Sequence, residues 1–137
     1  MKRISLIILL MLSVVALLSS KEITVRMLGM VQSPGSKQIE LGTGLIGLIY
    51  QSGGAKFGGC PKSVFIKTEG AETSNLSEVN AYEIVMKGLP DVMLRENQTI
   101  WIPENVIPCL SADQIREFNQ QLPIYLKLEP AFHRQDR

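Results

Sequence analysis

The sequence predicts an exported α+β domain, on three observations. The first twenty residues differ in composition from everything after them. Beyond them, short apolar runs of period two are interleaved with short runs of period 3.6. The runs come in the order strand, strand, helix, strand, weak strand, helix, strand, which is not the regular alternation of a doubly wound parallel sheet.

The leading segment, residues 1–20, has Lys2 and Arg3 followed by an apolar run from Ile4 to Leu18 broken only by Ser5 and Ser13. This is the pattern of a secretory signal peptide, and its apolar run is shorter than the roughly 20 residues a bilayer-spanning helix needs. Cleavage after Ser20 is expected. The alternative is an uncleaved anchor in the inner membrane, because Leu18 is bulkier than the small residue usual at its position. No cysteine follows Ser20, so lipid attachment is not expected.

The whole chain has 14 basic and 13 acidic residues, and loss of Lys2 and Arg3 leaves 12 against 13. A nearly neutral domain offers no basic stripe for phosphate, which argues against nucleic acid as a partner. About 115 residues remain, enough for one core. Both cysteines, Cys60 and Cys109, lie in this part. In an oxidising compartment they either close a disulfide or stay as two buried thiols.

The elements follow in order. Ile23, Val25 and Met27 alternate with Thr24, Arg26 and Leu28 as a half-buried strand ending at Gly29. Ser33-Pro34-Gly35-Ser36 has turn chemistry, so a hairpin is expected with the return strand Lys37–Leu41. Thr43 is the expected cap of a short helix bearing Leu45, Leu48 and Ile49, stopped by Gly53-Gly54. A glycine-rich loop, Lys56–Pro61, leads into the strand Ser63–Thr68, which Glu69-Gly70 turns. Ala71–Glu78 reads as a poor edge strand. Asn80 with Glu83 forms a capping box for a second helix carrying Ile84 and Val85, stopped by Gly88 and Pro90. Arg95-Glu96-Asn97-Gln98 turns into the last strand, Thr99–Ile102, closed by Pro103.

The C-terminal appendage and tail, residues 109–137, are expected to hold a short helix capped by Ser111 with Gln114 and bearing Ile115, Phe118 and Leu122. Ile124, Leu126 and Leu128 alternate as a further strand, and the end from Ala131 reads as frayed. The main domain is thus residues 21–108. A hairpin, a helix crossing one face and a last strand inserted beside the first is the β-grasp arrangement, the ubiquitin-like roll.

From Ile23 to about Glu104 the residues resemble the soluble ligand-binding β-grasp (SLBB) domain of bacterial polysaccharide export proteins. The resemblance is carried by the strand ending in Gly29, Val31 before Ser33-Pro34-Gly35, and Leu41 with the helix of Leu45 and Ile49. It continues through Ser52-Gly53-Gly54, the strand through Val64 and Ile66, Val79-Asn80, Gly88, Leu94 and Ile100-Trp101-Ile102-Pro103-Glu104. Where the family has a Pro-Gly-Asp-like turn this chain has Glu96-Asn97-Gln98, in which Asn97 can take the left-handed conformation. The resemblance implies a non-catalytic periplasmic module associated with export, with polysaccharide, export-machinery proteins or further copies of itself as partners. Membrane contact would come only through an uncleaved signal. In such a sheet the third strand runs antiparallel beside the last, which implies a disulfide between Cys60 and Cys109.

Other motifs are weak by comparison. Gly42-Thr43-Gly44-Leu45-Ile46-Gly47 fits the dinucleotide pattern G-x-G-x-x-G, with Glu69 downstream. The preceding strand alternates where a buried parallel strand would be continuously apolar, and the helix is too short. No cofactor is expected. The single histidine, His133, lies four residues from the end, so no fixed base accompanies a nucleophile. Glu69 and Glu72 lie in a polar turn, read as solvated surface rather than a glycosidase pair. Two distant cysteines and one histidine make no metal set. Asn75-Leu76-Ser77 and Asn97-Gln98-Thr99 match glycosylation acceptors by chance.

Trp101 is the foremost candidate for binding. If Ile100 and Ile102 face the core, Trp101 faces out and can stack on a sugar or a neighbouring subunit; the alternative is burial beneath the appendage and Phe118. The loop of Gly53, Gly54, Lys56 and Phe57 and the hairpin tip of Pro34 and Gly35 complete the expected ligand or partner surface. The competing functions are a structural interaction protein using the Ile124–Leu128 strand for edge pairing, a small hydrolase and a dinucleotide binder.

Overall fold

The computed structural model describes residues 21–70 and 75–134, with side chains through Glu129. Residues 1–20, on which the expected signal falls, residues 71–74 with Glu72, and the last three residues lie outside the described residues. The class is α+β: a five-stranded mixed sheet with three helices. The strands are β1 (Glu22–Gly29), β2 (Gly35–Glu40), β3 (Val64–Thr68), β4 (Asn75–Val79) and β5 (Gln98–Ile102). The helices are α1 (Leu45–Gln51), α2 (Ala81–Lys87) and α3 (Ala112–Arg134).

The sheet order is β2-β1-β5-β3-β4. β1 and β5 are parallel at its centre, and every other pairing is antiparallel. Period-two alternation sends Ile23, Val25, Met27, Ile39, Val64, Ile66, Ile100 and Ile102 to one face, where all are buried. Leu45, Ile46, Leu48 and Ile49 of α1, Ala81, Ile84 and Val85 of α2, and Ile115, Phe118, Leu122 and Tyr125 of α3 complete one core with them. α3 packs against both shorter helices. Burial of each such large side chain contributes about 1.5–3 kcal/mol, so this face carries the stability of the domain.

Both expected N-caps form, the one at Ser111 as a full reciprocal box and the one at Asn80 through its side-chain oxygen alone. Asn80 Oδ1 accepts from Glu83 N at 2.9 Å, and Gly88 ends α2 in the left-handed conformation. Gln114 N donates to Ser111 Oγ at 3.1 Å while Ser111 N donates to Gln114 Oε1 at 2.8 Å. Asn97 adopts φ 62°, as its place in the turn before β5 requires. Cys60 and Cys109 form a disulfide with Cα atoms 5.7 Å apart, tying the start of β3 to the chain beyond β5. A disulfide belongs to an oxidising, exported setting. Among the described residues no helix is long and apolar enough to cross a membrane.

Four local expectations are corrected. The segment Ile124–Leu128 is not a strand but the middle of α3. The helical stripe Ile115, Phe118, Leu122 continues to Tyr125, which is buried, while Ile124 and Leu128 face outward. Pro123 removes a helical hydrogen bond, and the burial of Tyr125 and Leu126 on the core offsets that loss. The helix also runs past Ala131, through Arg134. Thr43 does not cap α1, whose N-cap is Gly44 with no side-chain bond of its own. The β1–β2 connection is wider than a Ser33–Ser36 turn: Gly35 is already the first residue of β2, and Val31 bridges to Ala55.

Candidate functional site

The face of the sheet turned away from the helices carries the site. The core-facing positions of Ile100 and Ile102 put Trp101 on this open face, 47 % exposed. It does not lie beneath Phe118, which is buried in the core with its ring 6.1 Å from Tyr82. The register sets Trp101 between Leu28 of β1 and Phe65 of β3, so three apolar side chains form one row across three strands. The Phe65 and Trp101 rings are 5.6 Å apart and tilted by 31°. One row over lie Thr99, Lys67 and Leu76. These six residues line an open groove of about 260 Å³.

Gly29 is required beside it. Its φ is +91°, and a methyl there would overlap the Ile102 carbonyl oxygen and lie 2.7 Å from Trp101 Cδ1. A second, polar hollow of about 130 Å³ adjoins the groove through Thr99, with Arg26, Ser36, Glu69 and Asn97 on its walls. The open face therefore runs from an aromatic end to a hydrogen-bonding end.

The other expected surface residues are drawn together, but apart from Trp101. The hairpin connection and the glycine loop are joined backbone to backbone, Gln32 N donating to Gly54 O at 3.1 Å and Ser33 N to Ser52 O at 2.8 Å. Pro34, Gly35, Gly53 and Gly54 thus belong to one pinned corner. A Cβ at Gly54 would strike the Asn119 amide, which clasps Ala55 through both its N–H and its carbonyl at 2.9 Å each. Lys56 and Phe57 are exposed on the next turn, and neither lines the Trp101 groove.

The G-x-G-x-x-G segment has a specific explanation in Asp91. Its carboxylate lies at the N-terminus of α1, where its two oxygens accept from Ile46 N at 3.2 and 3.1 Å, and Oδ1 also accepts from Val92 N at 2.7 Å. The amide that a phosphate would seek is already held by this internal carboxyl group. Burial, and to a smaller extent the charge of Glu129, pushes the Asp91 carboxyl up to about 7 against the hydrogen bonds that oppose it. Burial, with the charges of Asp91 and Glu129, also raises the Tyr125 phenol, whose hydroxyl donates to Leu89 O at 2.6 Å.

No three His, Cys, Asp or Glu side chains come together as metal ligands among the described residues. His133 falls in the last turns of α3, and Glu69 borders the polar hollow. No protein-family model and no curated protein matches the chain.

Leu28, Phe65, Lys67 and Leu76 were not legible as site residues, because a single strand does not show what stands beside it. The signal for Phe65 was its place between the inward residues Val64 and Ile66, the same place that Trp101 holds between Ile100 and Ile102. Asp91, between Pro90 and Val92, gave no signal.

Proposed function

We propose that the protein is an exported, non-catalytic binding module of the β-grasp type that serves polysaccharide export in the periplasm by holding glycan on the open face of its sheet. The observation that carries this is the pair of exposed Trp101 and half-buried Phe65 beside a polar hollow. A sugar ring has an apolar C–H face that stacks on aromatic rings and a rim of hydroxyls that needs polar partners. The groove offers the first, and Arg26, Ser36, Glu69 and Asn97 offer the second. The adjacent parallel β1 and β5, helices on one face and the left-handed Asn97 support the β-grasp assignment and the family resemblance.

Because Trp101 is the only tryptophan, its fluorescence reports the groove alone. Titration of the wild type with acidic and neutral oligosaccharides is expected to give a saturable change that Phe65→Ala weakens. No change with any sugar at about 10 mM, a concentration that detects even very weak sites, would overturn glycan contact. Deleting the gene and finding surface polysaccharide unaltered in amount and length would remove the export role.

A further inference from the structure

Two strands end the sheet, and they are protected differently. In β2, Lys37 pairs in register with the buried Val25, so a charged residue occupies an inward position on that edge. Inward charges on edge strands hinder the docking of another strand. β4 has no proline, glycine or lysine; Asn75, Leu76, Ser77 and Glu78 are all exposed, Leu76 by 62 %. Among the described residues no strand lies on its outer side.

We propose that β4 is the seam of a homodimer, pairing antiparallel with β4 of a second copy about a two-fold axis at Ser77. In that register all five positions of the strand pair. Asn75 would face Val79, Leu76 would face Glu78, and Ser77 would face itself. Faces also agree: Leu76 and Glu78 stand opposite the open-face residues Lys67 and Phe65, whereas Asn75, Ser77 and Val79 stand opposite the inward row Thr68, Ile66 and Val64.

Charge selects the same register. Lys67 neighbours Leu76 in its row, and the next position across the seam is Glu78 of the second copy. Two strand spacings, about 9.6 Å, separate them, within the joint reach of a lysine and a glutamate side chain. Symmetry gives this pair twice. A slip of two residues keeps the faces but pairs only three of the five positions in either direction, and one such slip sets Glu78 against Glu78. Across the seam the two Leu76 side chains are diagonal neighbours, about 7–8 Å apart, so the apolar grooves of both copies become continuous.

The seam stands whether or not the groove binds glycan. A five-residue seam falls short of the roughly 1,000 Å² of a stable interface, so association should be weak and concentration-dependent. Sedimentation equilibrium of the exported, disulfide-bonded protein without sugar, from about 10 μM to about 1 mM, is expected to show monomer passing to dimer.

Glu78→Lys should weaken association about tenfold, and adding Lys67→Glu should restore it. Ser77→Lys, an inward charge at the seam, should abolish it, and Lys37→Glu on the opposite edge should leave it unchanged. Glu78 also accepts from Ser63 Oγ at 2.6 Å, so Ser63→Ala controls for that loss, with circular dichroism checking each fold. A monomer throughout, an assembly larger than two, or a dimer indifferent to both Glu78→Lys and Ser77→Lys would overturn the seam.

Discussion

The Asp91 carboxylate occupies the space that a side chain at Gly44 would need: a Cβ built on Gly44 would overlap the carboxyl group itself. Gly44 has extended dihedrals, φ −90° and ψ 176°, so the demand for glycine there is one of contact and not of backbone handedness. Gly44→Ala is therefore expected to destabilise the protein by about 1–3 kcal/mol, the range for overpacking a filled site. Gly42→Ala is the informative comparison, since a Cβ there meets nothing but φ is +98°. Denaturant unfolding of both variants separates a clash from a strained backbone.

The same carboxyl group makes stability depend on pH. Its folded value near 7 lies above the ordinary 3.8, so the folded protein keeps a proton that the unfolded chain has lost. Unfolding releases that proton between about pH 4 and pH 7, and stability falls as pH rises through this window. The contribution is fully present below about pH 4 and gone above about pH 7. A rise of this size corresponds to about 4 kcal/mol at most. Asp91→Asn keeps an acceptor for Ile46 N but cannot titrate. Chemical unfolding measured at pH 4, 5.5 and 7 should show a clearly flatter profile for that variant than for wild type.

Much of the fold was legible because local rules and tertiary packing agree. The alternating residues of β1, β3 and β5, the box of Asn80 with Glu83 and the left-handed Asn97 each follow from chemistry within a few residues. Beyond Leu122 the alternation of Ile124, Leu126 and Leu128 mimics a strand where α3 in fact continues. The decisive fact, that Tyr125 continues the stripe onto the core, lies in packing. Its own strand shows only that Trp101 faces away from Ile100 and Ile102, leaving exposure and burial beneath the appendage both open. Its placement and its groove need the register of four strands and the path of α3. Asp91 was invisible because the helix it serves is 45 positions away.

The disulfide closes a loop of 49 positions and joins the start of β3 to the chain that leads into α3. On the loop-entropy model such a bridge stabilises by about 3–4 kcal/mol. Reduction, or replacement of Cys60 and Cys109 by serine, should lower the unfolding free energy by that amount, and the unfolding midpoint with it. The core clusters on both sides of the bridge, with Leu110 and Phe118 buried beyond it, so a cooperative transition should persist. Thermal unfolding with and without reductant measures both.

Ser52 should behave in the opposite direction. It ends α1, is fully buried, and its Oγ has no hydrogen-bond partner among the described residues, while its backbone carbonyl accepts from Ser33 N. A buried hydroxyl without a partner costs about 1–3 kcal/mol, so Ser52→Ala is expected to stabilise the protein, by about 1 kcal/mol after the small loss of packing. The Ser33 bond is untouched because it uses main chain. A lower denaturation midpoint for the variant would show that the hydroxyl is satisfied in solution.

Trp101 and Phe118 are both large aromatic residues, yet the fold uses them oppositely. Phe118 is fully buried beneath the sheet, and Phe118→Ala should cost about 3–5 kcal/mol. Trp101 touches Phe65 on an open face, where an aromatic pair is worth about 0.5–1.5 kcal/mol, so Trp101→Ala should leave a folded protein with only slightly lowered stability. If the groove binds glycan, that variant should lose binding by tenfold or more, an order typical of a central aromatic contact. Calorimetry is the appropriate measurement, because the substitution removes the fluorophore. Loss of binding with the melting temperature nearly unchanged would assign Trp101 to recognition; a large fall in stability would assign it to the fold.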